Sequence, residues 1–131
     1  MRAKLAILVA CAGMLASALP VFAHHSFAAE YDSTKPVELK GVVTKVEWTN
    51  PHARFYVDVK DANGKITNWN LELASPNVLS RNGWTRHSLK EGDTVTVQGS
   101  KAKDGDNLAN ARTVILADGR KVFAGSATDG Q

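Results

Sequence analysis

Between residues 53 and 73 the chain alternates so strictly that one local structure accounts for it. ARFYVDVK sets Phe55, Val57 and Val59 on one parity and Arg54, Tyr56, Asp58 and Lys60 on the other; ITNWNLEL repeats the pattern with Trp69, Leu71 and Leu73. A period of two sends alternate side chains to opposite faces of a pleated strand. DANG, residues 61–64, lies between the runs and has the residue types of a tight turn, so the segment predicts an antiparallel hairpin with one buried face. An isolated hairpin is marginal in water, so other strands must complete its core.

Three further stretches supply them. In VELKGVVTKVEW, residues 37–48, Val37, Leu39 and Val43 share one parity while Val42, Val46 and Trp48 share the other. This predicts a long strand that is bent or bulged near Gly41. LKEGDTVTVQG, residues 89–99, reads as a turn feeding a fourth strand, and KDGDNLANARTVIL, residues 103–116, as a turn feeding a fifth. Ser75-Pro76-Asn77 opens a short helical segment, with Ser75 as its cap and Pro76 in its first turn, that ends near Asn82-Gly83. The expected fold is all-β: a small five-stranded OB-fold-like barrel with one short helix between strands 3 and 4. Such an element order implies no particular ligand.

The front of the chain has a different character. Arg2 and Lys4 precede an uncharged run over residues 5–19, closed by Pro20 and Val21-Phe22-Ala23. This is the pattern of a Sec-type secretory signal peptide cut after Ala23, which places the mature protein in the periplasm or outside the cell. The run is shorter than the roughly 20 residues a spanning helix needs, so no membrane span is expected in the mature chain. Leu8-Val9-Ala10-Cys11 resembles a lipobox, but the chain stays uncharged through Ala23, where a lipoprotein would already have turned polar. A later cut after Ala28 also has small residues in place, though farther from the apolar run.

With residues 1–23 removed, 108 residues remain from His24 to Gln131, enough for one domain. Residues 24–36 and 125–131 read as flexible ends around a domain at 37–124. The sole cysteine, Cys11, leaves with the signal, which excludes disulfides, thiolate metal sites and a cysteine nucleophile. Removing Arg2 and Lys4 from the 16 basic residues leaves 14 against 13 acidic ones, a formal charge of +1, and no nucleic-acid footprint.

HHSFAAEYD, GVVTKVEWTNPHARFYVDVKD, NWNLELASPNVLSRNGW, SLKEGDTVTVQG and KDGDNLANARTVILADGRKVFAG together resemble DUF6152, a family of small exported bacterial proteins of unknown function. The resemblance covers nearly the whole mature chain. It is most specific in Trp48-Thr49-Asn50-Pro51-His52 combined with a paired histidine at the mature start. It implies a compartment and an architecture and supplies no activity.

The chemistry must therefore come from the residues. Cut after Ala23, His24 offers its α-amino group and its imidazole to one metal ion, and His52, in the TNPH turn between the first two strands, can add a third nitrogen. Such a histidine brace suits copper, which favours imidazole and planar nitrogen donors. Alternatively the free amine, the intervening amide and the His25 imidazole form a planar chelate for Cu(II) or Ni(II), with His24 or His52 as fourth donor. Both modes need the free amine and vanish if the cut falls after Ala28. The blander alternative is that both terminal histidines are solvated and that His52 caps an ordinary turn.

A second reading is a metal-free module that binds an envelope protein or small ligand through Trp48, Asn50, Arg54, Tyr56 and Trp84. Trp48 and Trp69 fall on inward parities and read as core, whereas Trp84, after Gly83, is expected to be the most exposed of the three. His87 reads as a lone surface histidine. Asp104, Asp106 and Asn107 suggest a Ca²⁺ loop but lack the glutamate that completes one, so they read as a hairpin turn. There is no nucleophile-elbow serine, HExxH helix or phosphate-cradling glycine loop, and a binding protein, not an enzyme, is expected.

Overall fold

The computed structural model describes residues 27–125; residues 1–26, which include the expected signal segment, His24 and His25, and residues 126–131 lie outside the described residues. The elements run α1 (Phe27–Glu30), β1 (Tyr31–Glu47), β2 (Arg54–Lys60), β3 (Ile66–Glu72), α2 (Pro76–Arg81), β4 (Thr94–Ala102), β5 (Leu108–Leu116) and β6 (Lys121–Phe123). The sheet order is β3-β2-β1-β4-β5-β6, and a parallel pairing of β3 with β5 closes the first five strands into a ring. This is the OB-like arrangement that the element order predicts, with α2 between the third and fourth strands.

The β2–β3 hairpin forms in the predicted register, with Phe55 opposite Leu71 and Val57 opposite Trp69. Its turn closes through Asp61, whose Oδ1 accepts from the amides of Asn63 and Lys65. Inside the ring, Phe55, Val57, Leu71, Val97, Ala109, Ala111 and Val114 are fully buried. Trp48 and Trp69 pack against this cluster while remaining partly exposed.

The long first strand does change face, but at Thr44, not at Gly41. Val43 pairs with Val57 and Lys45 with Tyr56, so Thr44 is the extra residue of a bulge. Before it Leu39 and Val43 point inward; after it Val46 does. Gly41 has another role: a Cβ there would lie 2.2 Å from the Asp58 carbonyl oxygen and 2.6 Å from Val57, so only glycine lets β1 and β2 approach this closely.

β1 also begins at Tyr31, six residues before the expected domain boundary at 37, and a helical turn precedes it. Residues 27–36 are thus part of the folded unit. Pairing of Tyr31 with Ala102, and a hydrogen bond from the Lys103 amide to the Glu30 carbonyl, tie this segment to β4.

The other departure is β6, which was not expected as a strand. Lys121 to Phe123 pair with β5, and Ala124 then bridges the ring: its carbonyl accepts from Ala74 after β3, and its amide donates to Arg112 on β5. Ala124 is fully buried between them. Among the described residues no helix is long and apolar enough to cross a membrane.

Candidate functional site

By strand parity the residues opposite the core face outward, and outward polar residues are normally solvated. At the seam where β3 meets β5 they are not. Glu72 lies opposite Asn110, and Asn110 lies opposite Ser100 on β4, so the three form one row across the outer face. All three are buried, with Glu72 3% exposed.

Tyr31, itself 3% exposed, reaches this row, and its hydroxyl is hydrogen-bonded to the Glu72 carboxylate. The ring of Phe27 stacks on the Tyr31 ring with centroids 5.5 Å apart. The start of the described chain therefore lies against the seam.

Glu72 has two further partners. His52 Nδ1 is 2.9 Å from Oε1, and the Arg54 guanidinium bonds Oε2. Arg54 also donates to Asn70 Oδ1 at 3.3 Å. A carboxylate removed from water needs such partners, because an unpaired buried charge costs several kcal/mol. His52 stays 44% exposed at its side chain, so one edge of its ring is anchored while the imidazole still meets solvent. It follows Asn50-Pro51, whose peptide bond is cis.

Burial, reinforced by the neighbouring Glu72 carboxylate, pushes the Tyr31 hydroxyl well above its ordinary 10.0. The neutral hydroxyl donates to Glu72, whereas a phenolate would face a second negative charge. Because the folded value is raised, the contribution to stability is complete below the unfolded value near 10 and is lost as pH rises through and beyond it. Ultraviolet titration of the folded protein should leave Tyr31 un-ionised at a pH where it ionises in the unfolded chain. Denaturation midpoints should fall in that alkaline window in the parent and fall less in Tyr31→Phe. A Tyr31 that ionises at the ordinary pH would contradict the buried contact.

The remaining predicted positions are distributed as follows. Tyr56 donates to Glu47 at 3.3 Å and lies under Lys45, whose Nζ is 5.3 Å from the ring centroid. The Lys45 hydrogen bond holds the Glu47 carboxyl below the usual carboxylate range. Asn50 is exposed, and Trp48 is packed partly against the core.

Trp84 is buried at 4%, not the most exposed tryptophan. The reason is a helix terminator: Trp84 donates to the Leu79 carbonyl and Gly83, at φ 86°, to the Ser80 carbonyl. These are the paired bonds of a Schellman motif, which brings the residue after the glycine onto the last helical turn. LSRNGW contains that signal. Trp84 lines a cleft of about 400 Å³ with His87, Lys90, Asp93, Leu116 and Arg120, apart from the other four residues of the metal-free reading. Among the described residues no three histidine, cysteine or acidic side chains gather as a metal site. The 103–107 segment is a turn between β4 and β5 with Gly105 at φ 99°.

Sequence reasoning missed Glu72 and Tyr31. The one available signal was a glutamate on the outward parity of the same strand whose inward residues are most apolar.

A closed ring of five strands with an edge sixth and two short helices defines a small OB-like β-domain, with a buried glutamate at its seam paired to a part-exposed histidine and arginine. The chain belongs to the family of unknown function DUF6152, whose profile matches residues 10–111. Among solved structures it is similar to the mitochondrial single-stranded DNA binding protein Rim1 of S. cerevisiae. That similarity has 8% identity and a TM-score of 0.49, covering 63% of this chain and 93% of the other. No curated protein matches the chain.

Proposed function

We propose that this is an exported binding protein that holds Cu(II) through its mature N-terminal histidines and His52. One observation carries the reading. The carboxylate that anchors His52 also bonds Tyr31, and Tyr31 stacks on Phe27. Phe27 is three residues after His24, so at most about 10 Å of extended chain separates them. His52 and the described start of the chain, Phe27 to Tyr31, thus meet at one buried residue.

In the brace form, the His24 amine and imidazole are joined by the His52 imidazole, a donor set that suits copper. The His25 chelate uses the same amine and leaves His52 optional. Carriage or buffering of the ion fits a half-exposed imidazole on a small domain better than catalysis does.

The test begins with N-terminal sequencing of the exported protein, expected to start at His24. Titration with Cu(II) should then give a d–d absorption band. One residue added before His24 should abolish or strongly weaken binding, and His52→Ala should weaken the brace while leaving a His25 chelate almost unchanged. A mature start at Ala29, or copper affinity no greater than that of a scrambled N-terminal peptide, would replace this reading with the metal-free module.

A further inference from the structure

We infer that the cleft beside Trp84 binds a free α-amino acid with an apolar side chain, its carboxylate on Lys90 and its ammonium on Asp93. The cleft lies between the 82–93 connection, which follows α2, and the 117–120 turn that joins β5 to β6. Tyr31, His52, Arg54 and Glu72 take no part in it, so the site is separate from the seam.

The floor of the cleft is apolar. Trp84 is 4% exposed, and Leu116 and Val122 are partly buried against the core. Lys90, Asp93, Asp118 and Arg120 line its rim, and they are not equally committed. Asp118 accepts from the Arg120 amide at 3.0 Å and from its Nε at 2.6 Å, so that pair is satisfied within its own turn. Asp93 Oδ2 accepts from the Lys90 amide at 2.9 Å, which fixes both residues to one short turn. Among the described residues, neither Asp93 Oδ1 nor Lys90 Nζ has a partner, although both residues line the same cleft.

One ammonium and one carboxylate are therefore left to a ligand. A simple anion would be attracted by Lys90 and repelled by Asp93, and a simple cation the reverse, whereas a zwitterion pairs with both. An α-amino acid carries its two charges on one carbon, matching two side chains that share one turn; a peptide separates them by the length of its chain. The cleft holds about 400 Å³, toward the small end of the roughly 300–1,000 Å³ of ligand pockets, which suits a molecule of this size. Its floor takes the ligand's side chain out of water, and this favours leucine over glycine.

Nitrogen-15 spectra of the mature protein, with no metal added, provide the test. L-leucine at millimolar concentration should shift the Trp84 indole N–H and the amides of Lys90, Asp93 and Arg120, and leave the Trp48 and Trp69 indoles in place. Glycine, N-acetyl-leucine and leucinamide each lack one of the three contacts and should each bind about tenfold or more weakly than leucine. Lys90→Gln and Asp93→Asn, the second of which keeps an acceptor for the Lys90 amide, should each weaken leucine binding by a similar factor. His52→Ala should bind leucine as the parent does, because the cleft is independent of the copper reading. An unmoved Trp84 indole, equal affinity for leucine and N-acetyl-leucine, or parent-like binding by both charge variants would overturn the inference.

Discussion

Phe55→Ala is expected to lower the unfolding free energy by about 3–5 kcal/mol, the cost of deleting a fully buried aromatic side chain together with the cavity it leaves. Phe55 is 0% exposed and is the largest of the fully buried side chains. It lies opposite Leu71 on β3 and opposite Val46 on the far side of the bulge, so its ring joins three strands of the closed sheet. Small domains are stable by only about 5–15 kcal/mol, which makes this a large fraction of the total. The loss should appear in urea denaturation as a lower midpoint. It should also reach the candidate site, because Phe55 adjoins Arg54 on β2, and Ala53, hydrogen-bonded to Leu73 and Ala74, adjoins His52. A loss below about 1 kcal/mol would mean that the ring is not packed around this side chain.

Gly99→Ala is expected to destabilise by about 1–3 kcal/mol or more, although alanine adds only a methyl group. A Cβ at Gly99 would sit 1.8 Å from the carbonyl oxygen of Asn110 and 3.2 Å from the Cα of Ala111. Both obstacles are backbone and cannot rotate aside, so β4 and β5 must separate. Asn110 is also the residue opposite Glu72, and the separation would therefore disturb the seam under Tyr31. Gly119→Ala provides the comparison. Gly119 has φ 84° with no atom within 4 Å of the added carbon, so only the left-handed backbone opposes alanine there, at about 1–2 kcal/mol. Denaturation curves should rank Gly99→Ala as the more damaging; equal stability of Gly99→Ala and the parent would be incompatible with the close β4–β5 approach.

Much of this fold is readable locally. Alternation from Arg54 to Leu73 dictates a hairpin with one buried face, and the pairing of Phe55 with Leu71 follows from it. Ser75 caps α2 by accepting from the Val78 amide, as its position before Pro76 implies. The switch of parity in β1 is equally visible, but its location is not. Gly41 is the more conspicuous break in the pattern, whereas Thr44 hides its bulge by hydrogen-bonding the Tyr56 carbonyl and accepting from Asn68.

The site was legible at two residues, His52 and Arg54, which the two readings of the sequence name separately. His52 stands out as an imidazole in a loop, but nothing near it in the chain announces Glu72, twenty positions later, or Tyr31, twenty-one before. Trp84 was misread for a related reason: composition marks a tryptophan after glycine as a loop residue, whereas the helix terminator folds it back onto Leu79.

What the sequence determined alone is which face the residues of the β2–β3 hairpin take and where the turns and the α2 cap fall. Those follow from period-two geometry and from residue types with local conformational preferences. Only the tertiary structure decided that an outward-facing glutamate would be buried. Parity says that Glu72 points away from the core; it cannot say that closure of β3 against β5 brings Tyr31 over that surface. Once Tyr31 covers it, Glu72 needs donors in place of water, and His52 and Arg54 become parts of one cluster.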